Sequence, residues 1–146
     1  ILVFGRMERG ARGLARSGDA LRARVLIETS SGPQEFSVEV ADSLLERAQG
    51  LSGRASLGED KGMLFLYETS AEYGFWMKDM EFPIDIVWIR DGVVLGVSEH
   101  AVPEPGVPLY ALRKYYPPEP ADTVLEINAG FAAKYGIRAG DKVVIQ

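Results

Sequence analysis

The pattern of apolar and polar residues along the chain predicts a succession of short β-strands. Between residues 35 and 41, Phe36, Val38 and Val40 alternate with polar residues. A period of two is typical of a strand with one buried face. Segments with strand-like alternation or composition are residues 24–29, 35–41, 62–67, 84–89, 93–98, 123–127 and 142–145.

Capping residues predict two short helices between these strands. Ser43 and Glu46 have the spacing of a capping box, and Gly50 is placed to end a short helix that begins after Ser43. This arrangement favours a helix over residues 43–49. Asn128 is predicted to cap a second helix over residues 129–135.

The remaining connections indicate the fold class. Asp91-Gly92 between two β-branched runs predicts a tight hairpin, because both turn positions need positive φ. Residues 103–120 are rich in proline and are expected to form a long irregular loop that covers an edge or a site. Together the elements predict a mainly β protein, a small β-sandwich or partly closed barrel with two short helices.

Composition is that of an ordinary globular domain. The chain has 146 residues, of which 47% are hydrophobic and 25% are charged, enough for one domain with its own core. It contains no apolar run of about 20 residues, so no transmembrane helix is expected. It also lacks cysteine, which excludes disulfides, thiolate metal sites and cysteine nucleophiles.

Charge divides the chain into two parts. Residues 1–24 contain six arginines and two acidic residues, a balance of +4, so residues 25–146 carry −9 of the total of −5. We expect residues 1–24 to be a basic, flexible segment, or one that touches an acidic surface, and residues 25–146 to form a single β-rich domain. The acidic domain argues against nucleic acid as a partner, since binding depends on neutralising phosphates.

The segment from Gly74 to Asp85 mixes aromatic, basic and acidic residues more closely than a plain core strand or loop does. Trp76 and Lys78 are at alternate positions, which share a face in a strand. An aromatic ring beside an ammonium group favours an anionic or carbohydrate-like ligand. The alternative is a tryptophan at the edge of the core beside an extended lysine.

Asp85 and Glu126 are carboxylates flanked by apolar residues. A buried charge needs partners, so we expect a salt bridge from Arg47 or Arg54 to at least one of the two carboxylates, or backbone N–H donors. If both acids faced one cleft, they could perform acid/base hydrolysis. Strand alternation equally allows Glu126 to face solvent.

Motifs for established chemistries are missing. The sequence has no nucleotide-binding loop and no Gly-x-Ser-x-Gly elbow, and its single histidine, His100, excludes zinc sites built on several histidines. The spacing of His100 and the methionines is not diagnostic of copper. We therefore predict no cofactor, no metal and no catalytic residues beyond Asp85 and Glu126 as weak candidates.

Several motifs, in order, resemble those of the bacterial and archaeal family DUF 192 over about residues 35–146. They are Arg47-Ala48-Gln49-Gly50-Leu51, Gly62-Met63-Leu64-Phe65, Phe75-Trp76-Met77-Lys78, Pro83-Ile84-Asp85-Ile86, Leu125-Glu126-Ile127-Asn128-Ala129-Gly130 and Gly136-Ile137-Arg138-Ala139-Gly140-Asp141. The resemblance implies a compact, mostly β domain, often exported from the cytoplasm, and implies no activity. The chain departs from the family pattern at Ser52, where methionine is usual, and at Asp79-Met80, where Asn-Thr is usual.

Three classes of function follow. A binding module would use Arg47, Arg54, Trp76 and Lys78 for a small anionic or carbohydrate-like ligand, with residues 103–120 as wall or lid. An enzyme would use the two carboxylates. A structural or interaction domain would use the charged residues only to specify its fold. The sequence leaves the oligomeric state open.

Overall fold

The computed structural model describes residues 15–17 and 20–146. Within these ranges the strands are β1 (Ala15–Ser17), β2 (Ala20–Thr29), β3 (Gly32–Ala41), β4 (Lys61–Ala71), β5 (Phe75–Trp76), β6 (Ile84–Arg90), β7 (Val93–Ala101), β8 (Lys114–Tyr115), β9 (Ala121–Asn128) and β10 (Lys142–Ile145). The helices are α1 (Leu44–Gln49), α2 (Phe131–Tyr135) and a 3-10 turn at Leu109–Ala111.

Seven of these strands close into a barrel. Their order is β2-β10-β7-β6-β9-β4-β3, and β3 pairs back to β2. The β3–β4 pair is parallel, and the other pairs are antiparallel. β1 extends the sheet beside β2, while β5 and β8 form a separate two-stranded sheet. The prediction of a mainly β fold with two short helices is confirmed, in the form of a closed barrel.

The hairpin and the first helix form as predicted. Asp91 and Gly92 have φ values of 53° and 72° between β6 and β7. At α1, the Ser43 hydroxyl accepts the N–H of Glu46 at 3.2 Å, and Gly50 ends the helix with φ of 51°. Both elements can be predicted from the local sequence, because the residues at the hairpin turn and at the end of the helix can adopt the positive φ that these positions require.

The predicted cap of the second helix is wrong. Asn128 is still part of β9, and its amide donates to the carbonyl of Leu57 at 2.8 Å. The amide groups at the start of α2 donate instead to Asp85, with Gly130 and Ala132 each 3.0 Å from Oδ2. A carboxylate from a distant strand therefore caps this helix.

Apolar side chains pack on both sides of the barrel wall. One core fills the inside and includes Val25, Phe36, Leu64, Val87 and Leu125. A second core lies between the outer face of β4, β6 and β9 and a layer that contains the β5–β8 sheet. It includes Met63, Phe65, Phe75, Trp88 and Tyr115. Because both faces of β9 are covered, the strand is buried from Ala121 to Ile127.

The segment 1–24 is only partly described. β2 begins at Ala20, and Leu21 pairs with Val40 of β3. The prediction of a flexible basic segment mostly concerns residues 1–14 and 18–19, which lie outside the described residues. Within the described ranges, no helix has the length and apolarity of a membrane span. No group of three or more acidic or histidine residues there has the arrangement of a metal site.

Candidate functional site

A cavity of about 440 Å³ lies against the outer face of the barrel. Its walls come from the C-terminal end of α1, the outer face of β4 and β9, and the β5–β8 sheet. The charged and large aromatic side chains that reach it, apart from two core phenylalanines, are Arg47, Tyr67, Trp76, Lys114, Tyr116 and Glu126. The cavity thus combines two cations, one carboxyl group and three polar aromatic rings.

Arg47 is held in place by the protein itself. Its Nη1 donates to the backbone carbonyls of Asp42 and Leu66, both at 2.9 Å. Its guanidinium lies 5.0 Å from the centre of the Tyr67 ring. That ring stacks on Tyr73 with centroids 3.7 Å apart. These contacts fix the position of one positive charge in the cavity wall.

Glu126 lies on the outer face of β9, directly opposite Met63 of β4 and Ile86 of β6. The residue is only 6% exposed, and its side chain lines the cavity. Among the described residues, its carboxyl group has no hydrogen-bond or ion-pair partner. Burial raises the pKa of Glu126 to about 8. The carboxyl group is therefore mostly protonated at neutral pH.

Tyr67 interacts electrostatically with both Arg47 and Glu126. Burial raises the pKa of its phenol to about 12, and the nearby guanidinium of Arg47 acts in the opposite direction. Tyr73 and the Glu126 carboxyl raise it further. Arg47, Tyr67 and Glu126 are therefore close enough to influence one another, although Arg47 and Glu126 form no salt bridge.

The rim of the cavity is aromatic and basic. Trp76 of β5 pairs with Lys114 of β8, and the tryptophan is 39% exposed. Tyr116 packs over Gly74, where a Cβ atom would lie 2.9 Å from the tyrosine Cε1. Glycine at that position lets the ring approach the backbone. Next to the exposed tryptophan, Phe75 points into the outer core and anchors the strand.

Three predicted site residues lie outside this cavity. Arg54 forms a salt bridge with Glu39. Lys78 is half-buried, and its backbone carbonyl accepts the Ser52 hydroxyl at 2.7 Å. Neither side chain contributes to the cavity lining.

Asp85 also lies elsewhere, because it occupies the opposite face of the sheet from Glu126. On the paired strands β6 and β9, Asp85 is opposite Ile127, and Glu126 is opposite Ile86. Successive residues of a strand point to opposite faces, so the two carboxyl groups are on opposite sides of the sheet. Its carboxylate is fully buried and accepts the N–H groups of His100, Gly130 and Ala132, each at 3.0 Å. This is the backbone-donor alternative that the sequence left open.

The expected salt bridge is therefore wrong, and the condition for paired acid/base chemistry is not met. No salt bridge joins Arg47 or Arg54 to Asp85 or Glu126 within residues 20–146, since Asp85 takes backbone donors and Glu126 takes none. The two carboxylates also do not face a common cleft. The cavity does unite Arg47, Trp76 and Glu126, three of the six predicted site residues.

Sequence reasoning missed Tyr67, Lys114 and Tyr116. Tyr67 ends an apolar run that reads as a strand buried on both faces. Lys114 and Tyr116 belong to the proline-rich segment 103–120, which was predicted as a wall or lid without individual residues. The sequence feature that could have indicated Lys114 and Tyr116 is the presence of basic and aromatic residues between the prolines of this segment.

A second concavity lies at the seam of the barrel. It is a more open groove of about 730 Å³ lined by Arg22, Arg24, Ser37, Lys61 and Gln146, among others. Arg22 and Arg24 already pair with glutamates of β3. The groove has no aromatic wall and no buried titratable side chain, so we place the candidate site at the smaller cavity.

Comparisons with known proteins agree with the fold. A family model described as Uncharacterized ACR, DUF192, matches residues 25–145. A protein of unknown function from Novosphingobium aromaticivorans DSM 12444 is 33% identical, with a TM-score of 0.80 over 93% of this chain and 95% of that chain. A "putative transcription regulator" from Sinorhizobium meliloti 1021 is 32% identical, with a TM-score of 0.77 over 88% and 96%. No curated protein matches.

Proposed function

The chain belongs to the DUF192 family, and we propose that it is a binding domain for a small anionic or carbohydrate-like ligand. The observation that carries the proposal is the pairing of Trp76 and Lys114 at the rim of a cavity whose wall holds Glu126, a buried residue whose carboxyl group has no partner among the described residues. The carboxyl oxygens open onto the cavity and are available to a ligand there.

The size and lining of the cavity suit a ligand of one ring. Its volume of about 440 Å³ is within the usual range of small-molecule sites. Trp76 and Tyr116 are partly exposed aromatic side chains that line the cavity, and aromatic rings are surfaces on which the apolar face of a sugar can stack. Arg47 and Lys114 supply donors for ring hydroxyls or for a negative group.

The hydrolase alternative is less well supported. It requires two carboxylates on either side of a substrate. Asp85 and Glu126 lie on opposite faces of the sheet, and the carboxylate of Asp85 already accepts three backbone N–H groups. The cavity thus offers one acid for binding.

Fluorescence of single-tryptophan variants tests the proposal, because the chain has two tryptophans. Trp88 is buried and its Nε1 donates to Ser98, whereas Trp76 stands at the cavity rim. Trp88→Phe leaves Trp76 as the sole reporter, and Trp76→Phe leaves Trp88. We expect glucose or glucuronate to change the emission of the Trp88→Phe protein in a saturable way and to leave the Trp76→Phe protein unchanged.

A control variant separates binding from surface effects. Tyr110 is 93% exposed and does not line the cavity, so Tyr110→Ala should keep the binding of wild type. Trp76→Ala should lose binding and keep its melting temperature within a few degrees, since the ring is at the rim. A large loss of stability in Trp76→Ala, with no emission change by any sugar or sugar acid in the wild type, would favour a purely structural domain.

A further inference from the structure

The state of Glu126 sets it apart from the other buried carboxyl groups. Asp85 accepts three backbone N–H groups. Asp122 accepts the N–H of Asp91 at 3.1 Å and the Thr123 hydroxyl at 2.9 Å. Glu126 alone of the three faces a cavity and has no such partner among the described residues. Since no enclosed side-chain polar atom of the described residues lacks a partner, the Glu126 oxygens are reached from the cavity, where water or a ligand can hydrogen-bond to them.

The groups around Glu126 determine the charge that such a ligand carries. The cavity is lined by the basic side chains of Arg47 of α1 and Lys114 of β8 and by the phenol groups of Tyr67, on which Tyr73 stacks, and Tyr116. Neither cation is within salt-bridge distance of the Glu126 carboxyl. With that carboxyl protonated, the cavity presents two cationic side chains and one O–H donor. Both features favour an anion.

We infer that the ligand class is a sugar acid, whose carboxylate faces Arg47 and Lys114 and accepts a hydrogen bond from the Glu126 carboxyl group. This inference rests on the proposed function and names the ligand within it. The ring of the sugar acid then lies against Trp76 and Tyr116. Buried carboxylic acids that stay neutral serve as hydrogen-bond donors to anionic oxygens in other proteins.

A pH dependence follows from this arrangement. Ionisation of Glu126 removes the donor and places a negative charge beside the ligand carboxylate. With a pKa of about 8 for the free protein, affinity is expected to fall about tenfold between about pH 6.5 and pH 9. Tyr67, with a pKa of about 12, does not ionise in this interval. Ordinary lysine and arginine side chains also keep their charge there.

The experiment compares three probes of equal ring size on the full chain by calorimetry. Glucuronate carries the carboxylate, glucose is neutral and glucosamine carries an amine. Glu126→Gln is the matched variant, because its amide still donates a hydrogen bond but cannot ionise. Circular dichroism at both pH values verifies that each protein is folded.

We expect glucuronate to bind at least about tenfold tighter than glucose at about pH 6.5, and its affinity to fall about tenfold by about pH 9. In Glu126→Gln the affinity at the lower pH should stay within about threefold, and the fall should disappear. Equal binding of glucose and glucuronate, or a fall that persists in Glu126→Gln, would overturn the inference and leave the proposed function intact. Tightest binding of glucosamine, lost in Glu126→Gln, would overturn it in favour of an ammonium site. No binding of any probe to the folded protein would overturn both.

Discussion

Two buried carboxyl groups on neighbouring strands have opposite surroundings. Asp85 faces the inner side of the sheet, where three backbone N–H groups converge on its oxygens. Glu126 lies one position out of step on the next strand and faces the outer cavity, where burial without a partner raises its pKa to about 8. The two buried acids thus differ in their hydrogen bonding, because the backbone supplies donors to Asp85 whereas Glu126 opens onto a cavity.

The same difference separates a structural role from a binding role. Asp85 joins β6 to His100 of β7 and to the start of α2, so its oxygens are engaged by hydrogen bonds within the fold. Among the described residues, the Glu126 carboxyl group makes no hydrogen bond to a neighbouring segment, and its side chain lines a space that a ligand can fill.

The largest effect is expected for Asp85→Ala. The substitution leaves three N–H groups without an acceptor, and hydrogen bonds to a charged group contribute about 1.5–3 kcal/mol each. We expect the free energy of unfolding to fall by roughly 5 kcal/mol in urea titrations. Asp85→Asn keeps one acceptor oxygen and should lose less. A loss below about 1 kcal/mol for Asp85→Ala would show that the donors find other acceptors.

The second prediction concerns Glu126 and pH. Because the folded pKa is raised from 4.5 to about 8, the folded protein binds more protons than the unfolded chain in this interval. The contribution of Glu126 to the free energy of unfolding is therefore fully present below pH 4.5, and it is lost as the pH rises to about 8. By pH 7 the loss is roughly 3 kcal/mol.

Glu126→Gln should remove that loss. Between about pH 4.5 and pH 7, the stability of the variant relative to wild type should increase by roughly 3 kcal/mol, measured by denaturant titration at each pH. If the free energy of unfolding changed with pH in the same way in both proteins, Glu126 would have an ordinary pKa in the folded state.

The third prediction concerns Arg47. Arg47→Ala removes two hydrogen bonds to backbone carbonyls and the stacking on Tyr67, so a loss of about 2 kcal/mol is expected. Arg47→Lys should recover only part of it, since an ammonium group does not reproduce the planar guanidinium. An unchanged melting temperature in Arg47→Ala would contradict the anchoring role.

The smallest effect is expected at the rim. Trp76→Ala should cost less than about 1 kcal/mol, because the ring is partly exposed, whereas truncation of a buried tryptophan costs about 3–5 kcal/mol. Thermal melts of the variant and wild type at the same pH measure the difference. A cost in the range of buried rings would place Trp76 in the core.

Much of the fold could be predicted because its signals are local. The Asp91-Gly92 hairpin and the helix after Ser43 depend on residues within a few positions of each other. The cap of α2 could not be predicted, since Asp85 reaches it from 45 and 47 residues away. The periodic pattern of apolar residues gives no information about a contact between residues so far apart in the sequence.

The candidate site was harder to predict for a different reason. Both faces of β9 are covered, so its residues show no alternation that assigns Glu126 to one side. Lys114 and Tyr116 lie in an irregular segment without periodicity. The extracytoplasmic location implied by the family resemblance stays a prediction.

The most direct test of the account is the titration of the Glu126 carboxyl carbon by NMR in protein labelled at glutamate, with Glu126→Gln used to assign the signal. We expect a midpoint near pH 8 for the free protein. With glucuronate bound, the midpoint should be higher, because a neighbouring anion disfavours ionisation. A midpoint near the ordinary value of 4.5 would contradict it, since the carboxyl group would then be ionised and compensated at neutral pH.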